Sequence, residues 1–225
     1  MLQLILFIFS SYVLFVFSNK NQQKLFRLFY KITHNPTLSA GLISLLYFPG
    51  IVLHEFSHFI TGVLLFIDVR SISFIPRATY SEDGKSIGLQ LGHVTYIKAD
   101  PIRGFFVGIA PFFYGLLAFF ALHLYVTFPS SSILVNALII YLTFVISSTM
   151  FWSTEDLKDL IYMIPVVLVI ALIIFLTGFD IGSGVHFLIS NKNVIDFLRQ
   201  STIYLFLSAL INIVVYIIFS ILRLS

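Results

Sequence analysis

Long apolar stretches separated by short polar ones set the pattern of this chain. Runs at about 2–18, 41–67, 104–128, 133–152, 161–179 and 201–222 each approach or exceed the roughly 20 apolar residues that span about 30 Å of hydrocarbon. The pattern predicts an all-α polytopic membrane protein with about six transmembrane helices. Between the first two runs, NKNQQKLFRLFYKITHNP is basic and amphipathic, so Leu25, Phe26, Leu28 and Phe29 are expected to rest on the membrane surface until Pro36 ends the stretch. Residues 69–100 break the pattern. There VRSISFIPRATY and IGLQLGHVTYIK, rich in alternating and β-branched residues, flank SEDGKS, which predicts a β-hairpin turning at Asp83–Gly84. The tight PSSS linker at 129–132 makes the third and fourth runs antiparallel neighbours, and the linker at 180–200 carries a polar piece, SNKNVIDFLR, suited to the interface. No internal repeat divides the chain, so residues 1–225 form a single integral membrane domain.

Composition sharpens the solvent. With 59% hydrophobic and 10% charged residues and a mean hydropathy of +1.01, the chain lies outside the range of soluble domains. Its net charge of +3 sits on loop lysines and arginines, which face lipid headgroups, and no basic stripe tracks nucleic acid. The absence of cysteine excludes disulfides, thiolate metal sites and cysteine nucleophiles, leaving His, Asp and Glu for any metal. The first run lacks a basic leader and a small-residue cleavage pattern, and so is expected to be a retained span.

Within the second run stands HEFSH, residues 54–58. Two histidines four apart on a helix lie one above the other, so His54 and His58 can point at one metal ion while Glu55 flanks it as a general base. Chance produces H-E-x-x-H in roughly 0.2% of shuffles of this composition, so an accidental match is disfavoured. Ionisable groups in a lipid-spanning helix are costly and mark function by default. The bland alternative, a packing role for these residues, has no physical motive in an apolar helix.

A catalytic zinc takes three protein ligands and keeps one open position, so a third ligand is needed. If each run crosses once, the ends of the second and fourth runs and the hairpin share one face, while His34, Asp180, His186 and Asp196 belong to the other. On the favoured face STEDLKD, residues 153–159, is the richest cluster. Asp156 is the first candidate, Glu155 and Asp159 come next, and His93 in the hairpin is an outsider, more naturally an interfacial side chain. Asp156 could equally cap a helix, since Ser153 three residues earlier completes a capping box. At 1.5 Å per residue His58 lies roughly 24 Å along its helix and Asp156 roughly 35 Å along an unbroken one. The fourth helix should therefore end early, and Ser147-Ser148-Thr149 is where it is expected to unwind. Ser57 and Thr61 could line a polar path or orient a ligand. Asn136 and Asn212 are expected to bond neighbouring helices, and His123 to pack near the end of the third span.

HEFSH in an early span, the following hairpin with LGHVTY, GIAPFFYG at 108–115 and an acidic residue after the next span together resemble the site-2 protease type of intramembrane zinc metallopeptidase. The resemblance covers about residues 41–160 and implies a three-helix catalytic core. It also implies zinc held by His54, His58 and an aspartate, with Glu55 as base and cleavage of a membrane protein or peptide in or near the bilayer. That family places its third ligand in an Asn…Pro…Asp-Gly pattern, whereas the Asp-Gly pair here is the hairpin's Asp83–Gly84. The run MFWSTEDLKD instead resembles a divergent branch of membrane zincins with a Ser-x-x-Asp segment after the span. Two other functions fit the same residues: a transporter or channel using the His/Glu cluster as an ion path, and an inactive scaffold of the same fold. Scarce ionisable residues in the other spans weigh against the first, and an intact Glu55 against the second. A multi-pass location, in the cell membrane, is expected.

Overall fold

The computed structural model describes residues 2–80, 87–90, 92–97, 100–125, 129–151, 190–221 and separate positions between 164 and 182. Its described helices are α1 (Leu2–Thr33), α2 (Pro36–Leu64), α3 (Pro101–Tyr125), α4 (Ile133–Thr149) and α5 (Lys192–Ile221). Four strands, β1 (Val69–Ser73), β2 (Arg77–Tyr80), β3 (Ile87–Gln90) and β4 (His93–Tyr96), lie between α2 and α3. α1, α2, α3 and α5 are each long and apolar enough to cross a membrane, and α4 is a shorter apolar helix. The chain is a helical membrane protein. Of the run at 161–179, described positions from 164 to 177 are helical and nearly all exposed.

Local chemistry explains where α2 and α3 begin. Asn35 Oδ1 accepts from the backbone N–H groups of Thr37 (2.9 Å) and Leu38 (3.1 Å), and Pro36 occupies the first turn, where its missing N–H costs nothing. Asp100 repeats the arrangement before Pro101, accepting from Ile102 and Arg103 at 3.1 Å each, with Arg103 Nε donating to its other oxygen at 3.1 Å. Pro36 thus opens a helix and does not close a surface segment. α1, with no Gly or Pro to interrupt it, runs through the amphipathic stretch as one helix of 32 residues. Its length of roughly 48 Å exceeds the hydrocarbon thickness. The basic positions Lys20, Lys24, Arg27 and Lys31 recur at helical spacing, and the first two ammonium groups sit 5.7 and 4.2 Å from the Tyr216 ring centroid.

Contacts fix the directions of the helices. α1 and α5 run parallel: Leu14 and Leu205 share one buried cluster, Asn21 Nδ2 donates to Asn212 Oδ1 at 3.0 Å, and Lys24 Nζ to Ser220 Oγ at 2.7 Å, so the partners ascend together. α2 and α4 are also parallel, the Tyr141 hydroxyl donating to Leu46 O at 2.7 Å one end and His54 meeting Thr149 at the other. α4 consequently ends, and α5 begins, at the hairpin end of the bundle. Six alternating single crossings predict opposite ends for these points, and Asp196 is placed by the structure on the hairpin face, not the far one. His34, at the turn between α1 and α2, does lie at the far end.

Two buried clusters fill the interior. Leu14, Leu116, Phe119, Ile146, Met150, Leu205 and Ala209 form one, and Leu25, Ile43, Tyr47, Ile51 and Val145 the other. Asn212 bonds across helices as expected, receiving Asn21 Nδ2 from α1 and the Ser148 hydroxyl (3.3 Å) from α4. Asn136 does not: its side chain closes the preceding turn, accepting from Ser130 N and donating to Ser130 O. His123 packs edge-on to Tyr204, as its position near the end of α3 predicts.

The hairpin forms with both halves paired antiparallel. β1 pairs with β4 (Ile72 opposite Val94) and β2 with β3 (Tyr80 opposite Ile87), so residues 81–86 connect the inner strands with Asp83 and Gly84 at their middle. The turn itself lies outside the described residues.

Candidate metal centre

His54 and His58 lie one turn apart on α2, and two neighbouring helices each bring a backbone carbonyl to one of them. His54 Nδ1 stands 2.6 Å from the carbonyl oxygen of Thr149, the last residue of α4. His58 Nδ1 stands 2.9 Å from the carbonyl oxygen of Val107 in α3. A carbonyl can only accept, so each Nδ1 carries the proton and each neutral ring presents its lone pair at Nε2. Those two Nε2 atoms face one another at 3.2 Å, with the rings nearly perpendicular. Two lone pairs at that distance repel unless a cation, a proton or a metal ion, lies between them.

Zinc fits the pair. Two nitrogens each about 2.0–2.1 Å from a tetrahedral ion stand roughly 3.3 Å apart, close to the observed separation, and nitrogen is a preferred zinc donor. Nδ1–H donation to a backbone carbonyl is also the usual support of a metal-binding histidine, fixing its tautomer and orientation.

Both supporting carbonyls are available for a reason written in the sequence. In an α-helix a carbonyl at position i accepts from the N–H at i+4. The donor owed to Val107 would come from residue 111, which is proline and has none. Thr149 ends α4, so its carbonyl is one of the helix's terminal orphans. The neighbouring orphan, Ser148 O, receives the Gln22 side-chain amide of α1 at 2.9 Å. Helix termination at the Ser147-Ser148-Thr149 triplet is therefore as expected. It is reinforced by side-chain back-bonding, Thr149 Oγ1 to Val145 O at 2.9 Å and Ser147 Oγ to Phe144 O at 2.9 Å. Early termination brings the end of α4 level with His54, while Asp156, whose depth the early stop was expected to adjust, lies outside the described residues.

Close packing sets these distances. A Cβ at Gly50, one turn before His54, would collide with Thr149 Oγ1 and stand 2.6 Å from Val145 O, so glycine lets α2 and α4 touch there. On α3 the buried positions Gly104, Val107, Gly108, Pro111 and Gly115 form one stripe of mostly small residues. At Gly115 a Cβ would lie 2.9 Å from Met150 Cβ, just beyond the end of α4.

Glu55 is 5% exposed and His58 6%, so the motif is largely closed to solvent. Hairpin residue Gly92 lies against the Glu55 side chain: a Cβ there would stand 2.7 Å from Oε1 and 2.7 Å from Cγ. The hairpin backbone thus forms a wall over the carboxylate, and only glycine leaves the room. The Ser57 hydroxyl donates to the His54 carbonyl of its own helix at 2.6 Å.

Among the described residues, no third His, Asp or Glu joins His54 and His58 in a metal-holding group. Asp156, Glu155 and Asp159 lie outside the described residues. His93 is described and is not brought into such a group; its Nδ1 is buried without a hydrogen-bond partner. Sequence reasoning missed four residues of the centre: Thr149 as the His54 partner, Pro111 with Val107 as the His58 support, and Gly92 beside Glu55. The signal for the second was present, because a proline inside a helix names the carbonyl four residues earlier. Compared with protein-family models, curated proteins and solved structures, the chain matches none.

Proposed function

We propose that this chain is a multi-pass intramembrane zinc metalloendopeptidase of the cell membrane, hydrolysing peptide bonds of membrane-embedded proteins or peptides. The observation that carries the reading is the convergence of two Nε2 atoms at 3.2 Å beside a buried glutamate in H-E-x-x-H. Zinc bound there supplies Lewis acidity toward the scissile carbonyl and a water made acidic enough to lose its proton near neutral pH. His54 and His58 hold the ion, their Nδ1 protons fixed on the Thr149 and Val107 carbonyls. Asp156 is proposed as third ligand, with Glu155 and Asp159 as alternatives. Glu55 takes the proton from the attacking water and delivers it to the leaving amine. Each two-stranded part of the hairpin has outward strand edges, and an unwound substrate segment would extend one of them.

The test compares purified wild type with Glu55→Gln on transmembrane peptides in liposomes. Loss of the base lowers the cleavage rate by roughly 10²–10⁴-fold while zinc is retained. A Glu55→Gln protein that cleaves as fast as wild type refutes the proposal.

A further inference from the structure

We propose that Pro111 is a positioning residue of the metal centre, acting through the Val107 carbonyl on the ring of His58. The inference rests on the metal-centre reading and adds a residue to it. Pro111 is wholly buried inside α3, where proline is otherwise destabilising because it removes one helical hydrogen bond and its ring presses on the carbonyl four residues back. That carbonyl belongs to Val107, and its oxygen is 2.9 Å from His58 Nδ1. The missing bond and the gained one share a single acceptor atom.

The consequence is chemical. An ordinary residue at 111 offers its N–H to Val107 O along the helix axis, so His58 would share an acceptor turned away from it. The ring then loses the partner that keeps its proton on Nδ1, and Nε2 is no longer committed as the lone-pair atom facing His54. Gly104 and Gly108, buried on the same face of α3 as Val107, carry no side chain that would hold the helix off its neighbours. The second histidine reaches the same tautomer by another route, through the terminal carbonyl of α4.

Two substitutions separate the missing N–H from the shape of the ring. Pro111→Ala restores the N–H; lactic acid incorporated at position 111 carries the same methyl side chain but an ester oxygen, and so donates nothing. In zinc-free full-length protein, nitrogen NMR of labelled histidine should report His58 protonated on Nδ1 in wild type and in the ester protein, and shifted toward protonation on Nε2 in Pro111→Ala. Zinc titration should show affinity falling about 10–100-fold in Pro111→Ala and staying within a few-fold of wild type in the ester protein. An unchanged His58 tautomer and affinity in Pro111→Ala overturns the inference, as does an equal loss in both proteins, which would assign proline a packing role. Failure of wild type to bind zinc would instead refute the metal centre itself, while the tautomer comparison still judges Pro111.

Discussion

A buried imidazole takes its tautomer from whatever its Nδ1 meets, and here both rings meet carbonyls that their own helices leave without a donor. Two rings made into lone-pair donors at one point beside a carboxylate are hard to explain as packing, since ionisable residues in a spanning helix are costly, about 2.5–3.5 kcal/mol for a charged side chain at its centre. Glu55 beside them is shaped by its neighbour across the hairpin. Gly92→Ala inserts a methyl 2.7 Å from the carboxylate oxygen and must displace it. Cleavage should then fall on the order of 10²-fold with zinc content unchanged, as expected when a reacting group is moved by about an ångström. Rates measured alongside zinc content check this; a wild-type rate in Gly92→Ala would mean the hairpin does not bear on Glu55. The two histidines and the glutamate were legible in five letters because the motif is local. Thr149 and Gly92 were not, because they arrive from residues 95 and 38 positions away from His54 along the chain, through packing that no spacing encodes.

Elements place these residues by stopping or approaching at defined points. α4 ends at Thr149, and its last carbonyls are satisfied by side chains from other helices, Gln22 from α1 and His54 from α2. The Ser-Ser-Thr triplet made that stop readable, whereas the unbroken length of α1 was obscured by charges that resembled a separate surface helix. Gly50 controls how near α2 and α4 lie. Gly50→Ala should lower Tm, at a cost of about 1–3 kcal/mol for an overpacked contact, and weaken zinc binding by moving Thr149 away from His54. Thermal unfolding and zinc titration of this variant check the link; lowered stability with unaltered zinc affinity would uncouple the helix contact from the centre.

At the scale of the molecule, the parallel course of α1 and α5 was not legible, because counting apolar runs assumes that each crosses once. It moves Lys192 and Arg199 to the hairpin face, and we propose that this face is the cytosolic one. The cysteine-free chain allows a clean check. Single cysteines at Ile75 and Asn191 should react with an impermeant thiol reagent from the cytosolic side, and one at Asn35 from the other; Asn191 labelling together with Asn35 would restore the alternating topology. The central claim concerns the metal, and elemental analysis of the purified full-length protein tests it most directly. One zinc per chain is expected in wild type and in Glu55→Gln, falling to near zero in His58→Ala. A wild type without stoichiometric zinc, or a His58→Ala protein that keeps it, would contradict the account.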